Sequence, residues 1–107
     1  MRELHTSITT LLRDLEVELR KLEWWQPFQP SAEALASLQP FCMDTLSFSQ
    51  WLQFVFISRM DMLIAADQPL PVACAIAPMG EEAFAGQTPA VETLLQILKR
   101  IDKTLSK

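Results

Sequence analysis

Leu4, Ile8, Leu11, Leu12, Leu15, Leu19 and Leu22 recur at helical spacing and fall within about 100° of arc. This stripe predicts an amphipathic helix over residues 3–24. Val17 and Trp24 lie off the stripe, and two readings of Trp24 stand: it folds under Phe28 at the helix end, or it is an exposed aromatic contact. The next start signal is Ser47 followed by Gln50, a capping box, with Leu46 and Trp51 spaced as a hydrophobic staple. The helix it opens is expected to reach about residue 66, because Pro69 lies just beyond. Its apolar residues do not form a stripe. Phe48, Trp51, Leu52, Val55, Phe56, Met62 and Leu63 take one broad side, and Ile57, Met60 and Ile64 fall among Ser49, Gln50, Gln53 and Asp61. A helix apolar nearly all round is central, with neighbours on several sides. A last helix is expected from Thr88 as N-cap and Pro89 at the first helical position. Val91, Leu94, Leu95, Leu98, Ile101 and Leu105 give it a stripe of about 120°.

Shorter pieces fill the gaps. Residues 31–38 read as a short helix capped by Ser31, and Pro40 ends it. Residues 68–77 read as a connector with a helical turn over 72–76. Residues 78–85 read as a short helix, with Glu81 and Glu82 near its start and Gly86 past its end. Together these elements predict an all-α fold: a compact helical bundle of three long helices plus short helical segments, in a single domain over 1–107.

Composition narrows the class. There are two glycines in 107 residues, where about seven are usual. Hairpin turns and Gly-rich phosphate loops both need glycine at positive φ, so all-β folds and nucleotide loops are excluded. The net charge is −4, and its distribution matters more. Between residues 26 and 98 there are seven acids and one base, Arg59, whereas Lys99, Arg100, Lys103 and Lys107 make the C-terminus basic. An acidic body opposes direct nucleic-acid binding. The basic end reads first as helix capping and solubility, with a small phosphate or acidic-partner patch as the alternative. Cys42 and Cys74 read as buried thiols. With no signal-peptide pattern, the expected location is the cytoplasm. The longest apolar run, 48–64, is too short and too polar to cross a membrane.

Chemistry is sparse. His5 is the one histidine, at a helix start where it is expected to be exposed and idle, and no nucleophile–base set surrounds it. Metal ligands at the needed number and spacing are missing, so neither a metal nor a cofactor is expected. Arg59 is the most informative ionisable residue. Wound at 100° per residue, it falls between Phe48, Leu52 and Val55 on the apolar side. There it pairs with a carboxylate (Asp44, Glu16 or Asp14), snorkels to solvent, or anchors a partner or anion. Asp44 and Thr45, just ahead of the capped helix, also fit ordinary loop chemistry. The aromatic run Phe41, Phe48, Trp51, Phe54, Phe56 exceeds what two long helices readily cover, which points to core under loops or to an exposed binding surface.

Several runs resemble a known family. Gln39-Pro40-Phe41-x-Met43-Asp44-Thr45, Trp51-Leu52-Gln53-Phe54, Arg59-Met60, Gln68-Pro69-Leu70-Pro71 and Ile76-Ala77-Pro78 occur in the order and spacing of the YqcC-like family of small bacterial proteins. The likeness spans about residues 5–105 and is strongest over 39–78. It implies a compact all-α bundle without an established enzyme activity. The genes of this family often sit beside one for a tRNA pseudouridine synthase, which implies an accessory role. The signature residues carried over are Phe41, Asp44, Thr45, Trp51, Gln53, Arg59, Met60, Pro69, Pro71 and Pro78, with Gln39 and Pro40. One departure is Met79-Gly80, where relatives are expected to carry aromatics.

The expected function is therefore a non-enzymatic interaction protein that docks a protein partner, for which the resemblance implies a tRNA pseudouridine synthase. The surface would combine residues 39–46, the exposed edge of the central helix and residues 68–78. Phe41 and Trp51 would serve as apolar anchors, Asp44 and Arg59 as polar contacts. One alternative is an anionic-ligand pocket or enzymatic site around Arg59. The other is a homodimeric structural protein.

Overall fold

A computed structural model describes residues 2–37, 46–71, 75–87 and 90–106. Its elements are α1 (Arg2–Lys21), α2 (Ala32–Leu35), α3 (Phe48–Trp51), a π-helical segment (Leu52–Ile57), α4 (Ser58–Ala65), α5 (Ile76–Ala83) and α6 (Glu92–Leu105). The fold is all-α. α3, the π segment and α4 run end to end as one central rod, while α1 packs on α6 and on α4, and α5 packs on α6.

The leucine stripe of α1 is the core face. Ile8, Leu12, Leu15 and Leu19 are fully buried, and they meet Leu52, Phe56 and Met60 of the rod, Ile76 of α5, and Leu94, Leu98 and Ile101 of α6 in one cluster. The capping box at Ser47 forms in full. Gln50 N–H donates to Ser47 Oγ at 3.2 Å, and Ser47 N–H donates to Gln50 Oε1 at 2.9 Å. Ser31 caps α2 through Ala34 N–H at 3.1 Å.

The glycine shortage has a structural counterpart. Glu23, Asp67 and Ala75 take positive φ, a conformation that glycine usually supplies. At the end of α1, Trp24 N–H donates to Leu19 O and Glu23 N–H to Arg20 O, which is a Schellman ending with Glu23 at the left-handed position. Asp67 does the same after α4, through Gln68 N–H to Leu63 O and Asp67 N–H to Ile64 O. Gly80 serves another purpose. A Cβ there would lie 2.7 Å from Leu98 Cδ1 and 3.2 Å from Leu95 Cδ2, so its bare backbone is what lets α5 approach α6 this closely.

Four sequence expectations are corrected. The central helix is not α-helical throughout: its middle is wound as π, with i→i+5 bonding that takes up an extra residue. α5 begins at Ile76, two residues before Pro78, which is accommodated in the first turn because its missing N–H has no intrahelical partner there. α6 begins at Glu92 after a turn at Ala90 and Val91. Its N-cap position is Val91, fully buried and without a side-chain cap; Thr88 and Pro89 lie outside the described residues. Trp24 does not fold under Phe28. It packs on Phe84 with ring centroids 5.0 Å apart, and Phe28 is left 82% exposed.

Candidate functional site

The π segment decides what the rod presents. Along an uninterrupted α-helix, Arg59 shares the core side with Phe48 and Leu52, and Met60 faces away. In the structure Met60 is 1% exposed and Arg59 is exposed. The extra residue in the π turn sets the downstream helix back by about one position. Met60 then occupies the angular place that α-winding gives Arg59, and Phe48, Leu52, Phe56 and Met60 share one buried side. The expectation that Arg59 sits among the apolar residues is thereby overturned; of its carboxylate candidates Asp14 and Glu16 make no ion pair with it, and Asp44 lies outside the described residues. Glu16 is engaged by Arg20 at 3.0 Å and Arg13 at 3.6 Å, and no ion pair to Arg59 occurs among the described residues. The cation that does tie the rod to α1 is Arg13, whose Nη2 donates to both carboxylate oxygens of Asp61 at 3.0 and 2.8 Å.

Turned outward, Arg59 lines an open groove of about 490 Å³ with Leu35, Phe54, Val55, Ser58, Met62, Leu63 and Ala66. Leu35 of α2 forms one wall. The loop leading to α2 is held by Gln53, whose side chain is buried and grips a single backbone unit. Gln26 N–H donates to Gln53 Oε1 at 2.9 Å, and Gln53 Nε2 donates to Gln26 O at 2.8 Å. Gln50 adds a bond from Nε2 to Gln26 Oε1 at 3.2 Å. Among the described residues the groove lining is mostly apolar, with the Arg59 guanidinium as its one charge and Ser58 as its one hydroxyl. Among the described residues that line it there is no histidine or carboxylate. No group of His, Cys, Asp or Glu among the described residues could hold a metal ion.

The other sequence candidates separate by role. Trp51 is half-buried and stacked on Phe48 and Phe56, at 5.6 Å in both cases, inside a chain of rings that continues through Phe84 to Trp24. Gln53 and Met60 are interior. Pro69 and Pro71 are exposed on either side of buried Leu70, and Pro78 is exposed in α5. Of the candidates among the described residues, the structure brings only Arg59 to the groove. Phe41, Asp44 and Thr45 lie outside the described residues, as do Gln39, Pro40, Cys42 and Cys74.

Two functional placements escaped the sequence. His5, expected to be idle at the surface, is buried: its Nε2–H donates to the Gln68 carbonyl at 2.9 Å, and its Nδ1 lies 3.7 Å from the Asp67 carboxylate. It fixes the turn after α4 to the start of α1. Asp102, the lone acid among the four bases of residues 99–107, accepts from Ile76 N–H at 3.0 Å and Ala77 N–H at 2.8 Å. It thus caps α5, whose own N-cap residue, Ala75, has no side chain able to do so. An acid isolated among four bases was the available signal.

Comparison with known proteins agrees with this architecture. The DUF446 family model, described as tRNA pseudouridine synthase C, matches residues 7–104. The uncharacterised protein YqcC of Escherichia coli is 39% identical over 98 residues, covering 92% of this chain and 90% of that protein. An uncharacterised protein of Haemophilus influenzae is 44% identical over 73 residues, covering 68% of this chain and 69% of its own. The solution NMR structure of E. coli YqcC superposes with a TM-score of 0.86 at 36% identity, covering 97% of this chain and 89% of that one. A protein of Pectobacterium carotovorum subsp. carotovorum named tRNA pseudouridine synthase C is 42% identical over 60 residues, which is 56% of this chain and 16% of that protein. No helix among the described residues is long and apolar enough to cross a membrane.

Proposed function

We propose, from the premise that the chain belongs to the YqcC-like family (DUF446), that it is a non-enzymatic accessory protein that docks a tRNA pseudouridine synthase through the groove around Arg59. The observation that carries the reading is the Pectobacterium protein. There, a stretch like this one forms a minor part of a much longer chain named for the enzyme. Joining two modules in one chain holds them at high effective concentration, which is useful when they act together. The groove supplies a site of suitable kind, largely apolar, accessible and marked by the charge of Arg59. Pseudouridine chemistry on tRNA belongs to the partner in this reading, and the acidic body of the chain leaves direct RNA contact to that partner as well.

The second reading, a small anionic ligand held by Arg59, draws on the same groove. Its volume lies within the range of ligand pockets. Such sites enclose most of their ligand, however, and here Ser58, Arg59, Met62 and Ala66 are all exposed along an open trough. That openness favours a macromolecule. The experiment mixes the purified chain with purified tRNA pseudouridine synthase C of the same organism, and follows complex formation by size-exclusion chromatography and pseudouridine formation on tRNA. A complex and faster modification at limiting enzyme are expected. Independent elution together with an unchanged rate would overturn the reading.

A further inference from the structure

We infer that the groove receives an amphipathic helix of the partner, seated with one of its carboxylates on Arg59. The inference rests on the synthase-docking reading and goes on to specify the chemistry of the contact. Two rows of side chains define the groove: Phe54, Ser58, Met62 and Ala66 form one, and Val55, Arg59 and Leu63 the other. Both rows have i+4 spacing, and the α-helical part of the first, from Ser58 to Ala66, spans roughly 12 Å at about 1.5 Å per residue. Parallel i+4 ridges with a furrow between them are the surface into which another helix sets its own ridge. In the first row, large Phe54 and Met62 alternate with small Ser58 and Ala66, leaving gaps where a partner's side chains can insert. Met62 is 70% exposed, a large apolar side chain with no cover on its outer side. Helix-in-groove recognition by apolar residues three and four positions apart fits these dimensions.

Charge selects the occupant further. Arg59 is the sole base between residues 26 and 98, and no described carboxylate neutralises it. Asp61, the one carboxylate on the rod, is committed to Arg13, and Glu16 of α1 to Arg13 and Arg20. A partner helix that covers the groove strips water from the guanidinium, which is unfavourable unless that helix brings an acid to the same place. A basic or purely apolar helix is thereby selected against, and an acidic one gains a two-pronged contact.

The test is a calorimetric titration of the purified synthase with wild-type chain and with Arg59→Glu, Arg59→Lys, Met62→Glu and Lys103→Glu. Arg59→Glu and Met62→Glu should each weaken binding by about 30-fold or more. Arg59→Lys, which keeps the charge and loses the fork, should fall in between. Lys103→Glu, on α6, should stay within about twofold. Among single Asp→Arg and Glu→Arg substitutions on exposed helices of the synthase, one should restore binding of the Arg59→Glu chain by about tenfold or more. Wild-type binding with undiminished affinity for both groove variants would overturn the groove and leave the synthase reading standing. No binding by the wild type would overturn that reading itself. Rescue of Arg59→Glu by Asp44→Lys within the same chain would make the chain's own 38–45 segment the occupant. Self-association abolished by Arg59→Glu would make the occupant a second copy. Either result overturns the inference.

Discussion

The two ends of polar chemistry in this molecule differ in whether the partner is internal. Gln53 reaches far along the sequence to pair with both the N–H and the carbonyl of Gln26, and Asp102 reaches as far to accept from the N–H groups of Ile76 and Ala77. At Arg59, the strongest donor on the rod meets no acceptor among the described residues. Across those residues no buried side-chain nitrogen or oxygen is left unpaired. Polar groups taken out of water must be matched within the fold, and those left at the surface need not be. Gln53 and Arg59 are both carried over as signature residues from the family resemblance, yet the first works inward and the second outward. A signature residue therefore says little about function until its direction is known.

That contrast orders the expected effects of substitution. Asp102→Ala should be the most damaging, by about 3 kcal/mol in chemical denaturation, because it removes charge-assisted bonds from two amides whose residues are buried. Asp102→Asn keeps one acceptor and should recover about half. A loss below about 1 kcal/mol for Asp102→Ala would show that water reaches the start of α5. Gln53→Ala should cost about 2 kcal/mol, less than Asp102→Ala because Gln26 is exposed and its backbone can rehydrate. Faster amide exchange at Gln26, read by NMR, would mark the released loop. Gly80→Ala should cost about 1 kcal/mol in thermal melts. The better helix propensity of alanine is outweighed by the 2.7 Å approach to Leu98, a fully buried side chain with little freedom to move. Arg59→Glu should change stability least, within about 0.5 kcal/mol, while weakening partner binding by about 30-fold or more. A large loss of stability in that variant would place Arg59 among the internal contacts after all.

The sequence was most informative where periodicity and local capping act alone. The stripes of α1 and α6, the capping box at Ser47 and the cap at Ser31 are each written in a few neighbouring residues. The all-α class followed from them and from the glycine count. The site was only partly accessible by the same route. Arg59 was singled out because a lone cation in an acidic stretch is visible in composition, but its direction was misjudged, since a helical wheel assumes one winding throughout. The π segment breaks that assumption, and no local residue announces it: Leu52–Ile57 is a bulky apolar run that fits an α-helix as well.

Local chemistry, then, set the elements, because a helix stripe or a cap depends on residues within one or two turns of each other. Tertiary structure decided the phase of α4 and the roles of Gln53, Asp102 and His5. Those three side chains each depend on a partner at least 25 positions away, reached only once the core of Leu12, Leu15, Leu52 and Leu98 has closed. Winding the rod as π places Met60 in that core and turns Arg59 out into the groove.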